Sequence, residues 1–120
     1  MKIILATLMI LTVVASTTAF AAFAGPRDDQ WQKVQDAINK GLPQTAIKEI
    51  ELILGKAMKD KSYGEAIKAI GMKIALEGNI QGNKPEEKIS RMQAEIAKAP
   101  EEMKPMMEAI LANWYWQYFQ

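Results

Sequence analysis

Pro43-Gln44-Thr45-Ala46-Ile47-Lys48-Glu49-Ile50-Glu51-Leu52-Ile53-Leu54-Gly55-Lys56-Ala57-Met58 decides the architecture of this chain. Ala46, Ile47, Ile50, Ile53, Leu54, Ala57 and Met58 recur at steps of three and four, the period of a helix face rather than the alternation of a strand. Pro43 suits the first helical position, because its φ is already set and it has no N–H to leave unbonded. Lys59-Asp60-Lys61-Ser62 then reads as a turn. A second helix, from about Tyr63 to Leu76, presents Ala66, Ile67, Ile70 and Ile74. Two amphipathic helices joined by so short a connection are expected to pack antiparallel, apolar face to apolar face.

Working outward gives three more helices. Trp31, Val34 and Ile38 share one face of a helix from about Asp28 to Lys40, with Asp28 or Asp29 able to cap its start and Gly41 placed to end it in the left-handed conformation. Gly64 and Gly71 are expected to allow close approach of a neighbouring helix. Gly78 to Asn83 reads as the longest loop. A fourth helix starts near Pro85, with Asn83 a candidate cap, Glu86 and Glu87 in the dipole-favoured first turn, and Ile89, Met92 and Ile96 as its stripe. Lys98 closes it and Ala99-Pro100 breaks the run. A fifth begins between Glu101 and Pro105, with Met107, Ile110, Leu111, Trp114 and Tyr118 as its stripe. After Gly25 the chain holds one Val (Val34) and one Thr (Thr45), and no alternating β-branched run. The expected fold is all-α: about five helices as antiparallel hairpins or a bundle, with Trp31, Ile50, Ile70 and Ile96 in the core. Tyr63 to Ile70 is tetratricopeptide-like, with a small residue at Ala66 and an apolar one four later. The first-helix signature of that repeat is absent, and no second copy recurs at a fixed period.

Ahead of this domain stands a segment of another kind. Met1-Lys2 is followed by an apolar run from Ile3 to Val14, then small residues, then Ala22-Phe23-Ala24 before Gly25. That is the layout of a secretory signal peptide over residues 1–24, with a mature domain over 25–120. A cut after Ala21 and an uncleaved anchor are the alternatives, and only the anchor would make a membrane a partner. The expected location is exported: periplasmic, cell-envelope or secreted.

Composition narrows the chemistry. The chain has 15 basic and 14 acidic residues. Lys2 leaves with the leader, so the mature domain balances at 14 of each, with no electrostatic footprint for nucleic acid. His and Cys are both absent. That removes the usual zinc, haem and iron–sulfur ligands and the Ser-His and Cys-His nucleophile pairs. Gly78-x-x-x-Gly82-Asn83-Lys84-Pro85 matches a phosphate loop only loosely: it is one residue short, lacks Ser or Thr after Lys84, and follows a helix rather than a strand. Glu86-Glu87 and Glu101-Glu102 are placed for the helix dipole rather than for acid–base work. The lysines are interleaved with acids, as on solvated helix faces. No catalytic residue, cofactor, metal or small-molecule substrate is expected, and the chain reads as a non-enzyme.

The segment at odds with a plain bundle is Trp114-Tyr115-Trp116-Gln117-Tyr118-Phe119. At about 100° per residue, Trp114 and Tyr118 continue the core stripe while Trp116 and Phe119 face away. A helix apolar all round wants cover on all sides. Together with Met103 and Met106, residues Trp114, Tyr115, Trp116, Tyr118 and Phe119 form a candidate protein interface, either with more of the same polypeptide beyond residue 120 or with a separate envelope protein. Met at helical spacing also serves as core filler.

The leader, Gly25-Pro26-Arg27-Asp28-Asp29-Gln30-Trp31, Gly41-Leu42-Pro43-x-x-Ala46, Ile74 to Lys88, and Trp114 to Gln120 together resemble the extreme N-terminus of large exported bacterial α2-macroglobulin-like proteins. The resemblance implies a helical, repeat-like prelude to a series of β-sandwich domains. The protease-trapping parts of that family, a bait segment and in many members a Cys-x-Glu-Gln thioester, have no counterpart here, so no functional residue carries over. Two functions follow as expectations: a non-catalytic helical interaction or scaffold module at the front of such an envelope protein, or a stand-alone periplasmic binding or chaperone-like protein. A long open reading frame after Gln120 would favour the first, and a stop codon the second.

Overall fold

The computed structural model describes residues 25–120, so the expected leader lies outside the described residues. Five helices follow one another: α1 (Asp28–Asn39), α2 (Pro43–Lys59), α3 (Tyr63–Ile80), α4 (Pro85–Lys98) and α5 (Lys104–Tyr118). No strand occurs among the described residues, which are all-α. Each helix packs chiefly against its neighbours in sequence.

The turns explain why the chain doubles back where it does. After α1, Gly41 takes φ 69°. Its N–H donates to the carbonyl of Ile38 at 3.0 Å, and that of Leu42 to Ala37 at 2.9 Å. These two bonds satisfy carbonyls that a helix end leaves free. The turn after α2 repeats the pattern without glycine. Lys61 stands at φ 55°, its N–H reaching Met58 at 3.2 Å and that of Ser62 reaching Ala57 at 2.8 Å. After α3 the left-handed residues are Gly82 at φ 90° and Asn83 at φ 59°, and the Asn83 N–H donates to Gly78 at 2.7 Å.

This third turn corrects two sequence expectations. Helix α3 runs on to Ile80, so Gly78 and Asn79 are helical and the connection to α4 is only residues 81–84. A glycine inside a helix costs only about 1 kcal/mol, which the helix absorbs before its C-cap at Gln81. Asn83 is no N-cap. It sits in the left-handed region, and Lys84 precedes α4 with no side-chain capping bond. Asp28 and Asp29 do not cap α1 either: Arg27 holds the cap position, and the Asp28 carboxylate turns back to accept the Gly25 N–H at 2.7 Å.

The core has two lobes that share α2 and α3. Val34 and Ala37 of α1, Ala46, Ile50 and Ile53 of α2, and Ala69 of α3 form the first. Ala57 of α2, Ala66, Ile67, Ile70 and Ile74 of α3, Met92 of α4, and Met103 and Met107 form the second. Helix α3 supplies both lobes because it is sandwiched between α2 and α4, which is why its apolar residues spread over more than one face. Ile50 and Ile70 are buried as expected, whereas Trp31 and Ile96 are only half-buried and pack at the lobe edges. The close approaches are made at alanines, with Ala46, Ala57, Ala66 and Ala69 fully covered. Gly64 and Gly71 have open space where a Cβ would stand, so they do not serve the close approach expected of them.

Polar ties hold the hairpins in register. Arg27 ion-pairs with Glu65 and, at 2.7 Å, with Asp60, fastening the start of α1 to the α2–α3 turn. These hydrogen bonds, donated by Arg27 to Asp60 first and then to Glu65, raise the guanidinium pKa further. Trp31 is half-buried because its indole N–H needs a polar partner, and it donates to Glu65 Oε2 at 3.0 Å. Lys68 lies 4.0 Å from the centre of the same ring. Lys73 bridges α3 to Glu51 of α2 at 3.0 Å, and Arg91 bridges α4 to Glu77 of α3 at 2.6 Å and to Gln81.

Candidate interaction surface

Helix α5 is held along its first half and released along its second. The chain enters it through a tight turn, with the Met103 N–H bonded to Pro100 at 3.0 Å. Met103 and Met107, four apart, both point into the second lobe. Met106 falls between them in sequence, to one side of that stripe, and is 56% exposed. Of the two methionines read as surface candidates, only Met106 is on the surface. Met103 is 1% exposed and belongs to the core, because the residue just before Lys104 already follows the helical register of the inward stripe.

Trp114 continues that stripe and packs half-buried against the second lobe, with Lys88 Nζ 4.2 Å from its ring centre. Tyr115, also half-buried, accepts a hydrogen bond from Gln93 Nε2 at 2.7 Å. Both residues are thus committed mainly to α4 and the core. Tyr118, expected with the core stripe, is instead exposed. α4 starts at Pro85, and Tyr118 reaches only its first turn, where the hydroxyl donates to Glu86 Oε1 at 3.1 Å. That bond raises the phenol's pKa, since ionising the hydroxyl would lose the donor and place a second anion beside the carboxylate.

Trp116 and Phe119 stand clear of the domain, 68% and 78% exposed. Tyr118 and Phe119 meet edge to face with ring centres 5.0 Å apart. No charged side chain lies between Ala109 and Gln120, so the exposed faces of Trp116 and Phe119 carry no charge of their own segment. Beside it, a groove of about 550 Å³ opens between α3, α4 and α5. Ile74, Ala75 and Gly78 line it from α3, Lys84, Pro85 and Lys88 from the α4 side, and Trp114 and Tyr118 from α5.

Among the described residues no group of three or more acidic side chains is gathered as a metal site, and no polar or charged residue is buried. No described helix is long and apolar enough to cross a membrane. The molecule is thus a stack of antiparallel helices with an uncharged aromatic end. No protein-family model, curated protein or solved structure matches the chain.

Proposed function

We propose that residues 25–120 form an exported, non-catalytic helical docking module whose partner-binding surface is the C-terminal end of α5. The observation that carries this reading is the joint exposure of Trp116 and Phe119 beside Tyr118 on a stretch without charge. Aromatic side chains contribute large apolar area with few rotors to freeze, which is why they anchor protein interfaces. The partner is a protein, either an envelope protein or a further part of the same polypeptide. The resemblance to α2-macroglobulin-like proteins is a proposal of the same standing: under it this end of α5 meets the domain that follows. The groove between α3, α4 and α5 favours a second reading, a stand-alone periplasmic binding or chaperone-like protein that lays an apolar segment along Ile74, Ala75 and Trp114. The tetratricopeptide-like character of Tyr63 to Ile70 fits either reading.

Isolated domain with no partner to cover the patch should self-associate with rising concentration in sedimentation experiments. Trp116→Ser with Phe119→Ser should abolish that association and leave the melting temperature unchanged. A concentration-independent monomer in which acrylamide does not reach Trp116 would refute the docking surface.

A further inference from the structure

We infer that the groove between α3, α4 and α5 takes an extended acidic–apolar segment of a partner protein, its carboxylates on Lys84 and Lys88 and its apolar side chains on Ile74, Ala75 and Trp114. This rests on the groove reading above and adds the chemistry of the occupant.

The charge of the groove carries the inference. Residues 25–120 balance at 14 basic and 14 acidic side chains, yet this groove is lined by two lysines and no carboxylate. Three smaller clefts on the described surface each include a carboxylate: Glu77 and Glu95 in one, Glu95 in another, Asp28 in the third. A cleft of one sign between apolar walls concentrates its field, so a domain without net charge attracts anions at this place.

Lys88 is the sharper of the two cations. It is half-buried and enters no ion pair among the described residues, unlike Lys84 and Arg91 on either side of it. Its Nζ lies 4.2 Å from the centre of the Trp114 ring. A ring face attracts an ammonium but leaves N–H donors over, and a carboxylate accepts these in charge-assisted bonds. Lys84 is paired only with Glu87, at 3.7 Å on the open surface, a contact worth little against a competing carboxylate. Glu86 accepts the Tyr118 hydroxyl at 3.1 Å and does not line the groove. The lysines come from the α4 side, and the apolar lining comes from α3 and α5. Successive side chains of an extended segment point to opposite sides, so alternating acidic and apolar residues meet both linings at once.

The test measures fluorescence anisotropy of short dye-labelled peptides, capped at both ends, with the purified protein carrying Trp116→Ser and Phe119→Ser so that association through the end of α5 does not enter. A peptide alternating Glu with Leu should bind about tenfold tighter than one alternating Gln with Leu, the worth of two partly exposed ion pairs, and tighter than one alternating Glu with Ser. Lys84→Glu with Lys88→Glu should reverse the preference toward a peptide alternating Lys with Leu. Ala75→Glu, at an exposed position on the α3 lining, should weaken the Glu–Leu peptide about tenfold while circular dichroism shows the fold intact. Equal binding of the Glu–Leu and Gln–Leu peptides overturns the acidic occupant and leaves the groove reading standing. Binding of no peptide, or binding that neither variant changes, overturns both, while sedimentation of the parent judges the α5 surface separately. Capture by phosphatidylglycerol vesicles through Lys84 and Lys88, without peptide binding, assigns the groove to lipid and overturns the proposal.

Discussion

Ile50 and Ile96 are the same residue in two different settings, and truncating each tests the two-lobed core. Ile50 is fully covered, in a lobe whose other members include Ala37, Ala46 and Ala69. Ile50→Ala removes three carbons, about 2.4 kcal/mol at roughly 0.8 kcal/mol per buried methylene. The surrounding alanines cannot swing into the space. A residual cavity of about 50 Å³ would add roughly 1.2 kcal/mol at about 24 cal/mol per Å³. The expected loss is therefore about 3.5 kcal/mol, a large share of the roughly 5–15 kcal/mol such a domain holds. Ile96 is half-buried at the rim of the other lobe, where water can fill the gap. Ile96→Ala should cost about 1–1.5 kcal/mol, half the transfer term and no cavity. Urea titrations followed by helical circular dichroism should show both midpoints lowered with the slope unchanged. In thermal melts the Ile50 variant should fall by about 15–25 °C, at about 4–8 °C per kcal/mol for a domain of this size. Equal losses at the two positions, or a loss under about 1 kcal/mol at Ile50, would refute the lobes as drawn.

Other outcomes follow from the turns and the charges. Lys61→Gly should stabilise the domain by roughly 0.5–1 kcal/mol, because Lys61 holds a left-handed φ of 55° that glycine adopts without strain. Gly41→Ala, at φ 69°, should destabilise it by about 1 kcal/mol in the same melts. Above pH of about 10 stability should decline. Lys73 beside Glu51 and Tyr118 beside Glu86 both have folded pKa values raised above the unfolded ones, so their contributions are whole below the unfolded values and are lost as pH rises through the folded ones. Denaturation midpoints near pH 8 and pH 11 should differ less in Lys73→Gln with Tyr118→Phe than in the parent.

The helices were legible because each signal was local. The stripe of α2, the prolines at 43 and 85, and the glycine at 41 act through their own neighbours, and α2 begins at Pro43 and α4 at Pro85 as read. What was not legible depended on partners brought from elsewhere. Met103 and Met106 are alike in composition and three apart, yet one is core and the other surface. Only the register of α5 against α4 and the second lobe separates them. The end of α3 was hidden because Gly78 and Asn79 are ordinary breakers, and the true cap at Gln81, with left-handed Gly82 after it, shows only when the Asn83 N–H finds the Gly78 carbonyl. Trp31 looked like a core residue until Glu65, from the third helix, claimed its indole N–H. At the aromatic end, the split between Trp114 on the core side and Trp116 facing away followed from helix geometry. Tyr118 departed from its stripe because it reaches only the first turn of α4.

Because each helix settles chiefly on the one before it, the native contacts span short stretches of chain. Little loop-closure entropy is then spent before packing begins to repay it, the condition for folding in microseconds to milliseconds. Each hairpin can form as soon as its second helix has cleared whatever pore or tunnel delivers it, without waiting for the far end of the molecule. A chain built this way spends little time with its lobes open. Among the described helices, α5 is the one whose end, at Trp116 and Phe119, finds no predecessor to rest on.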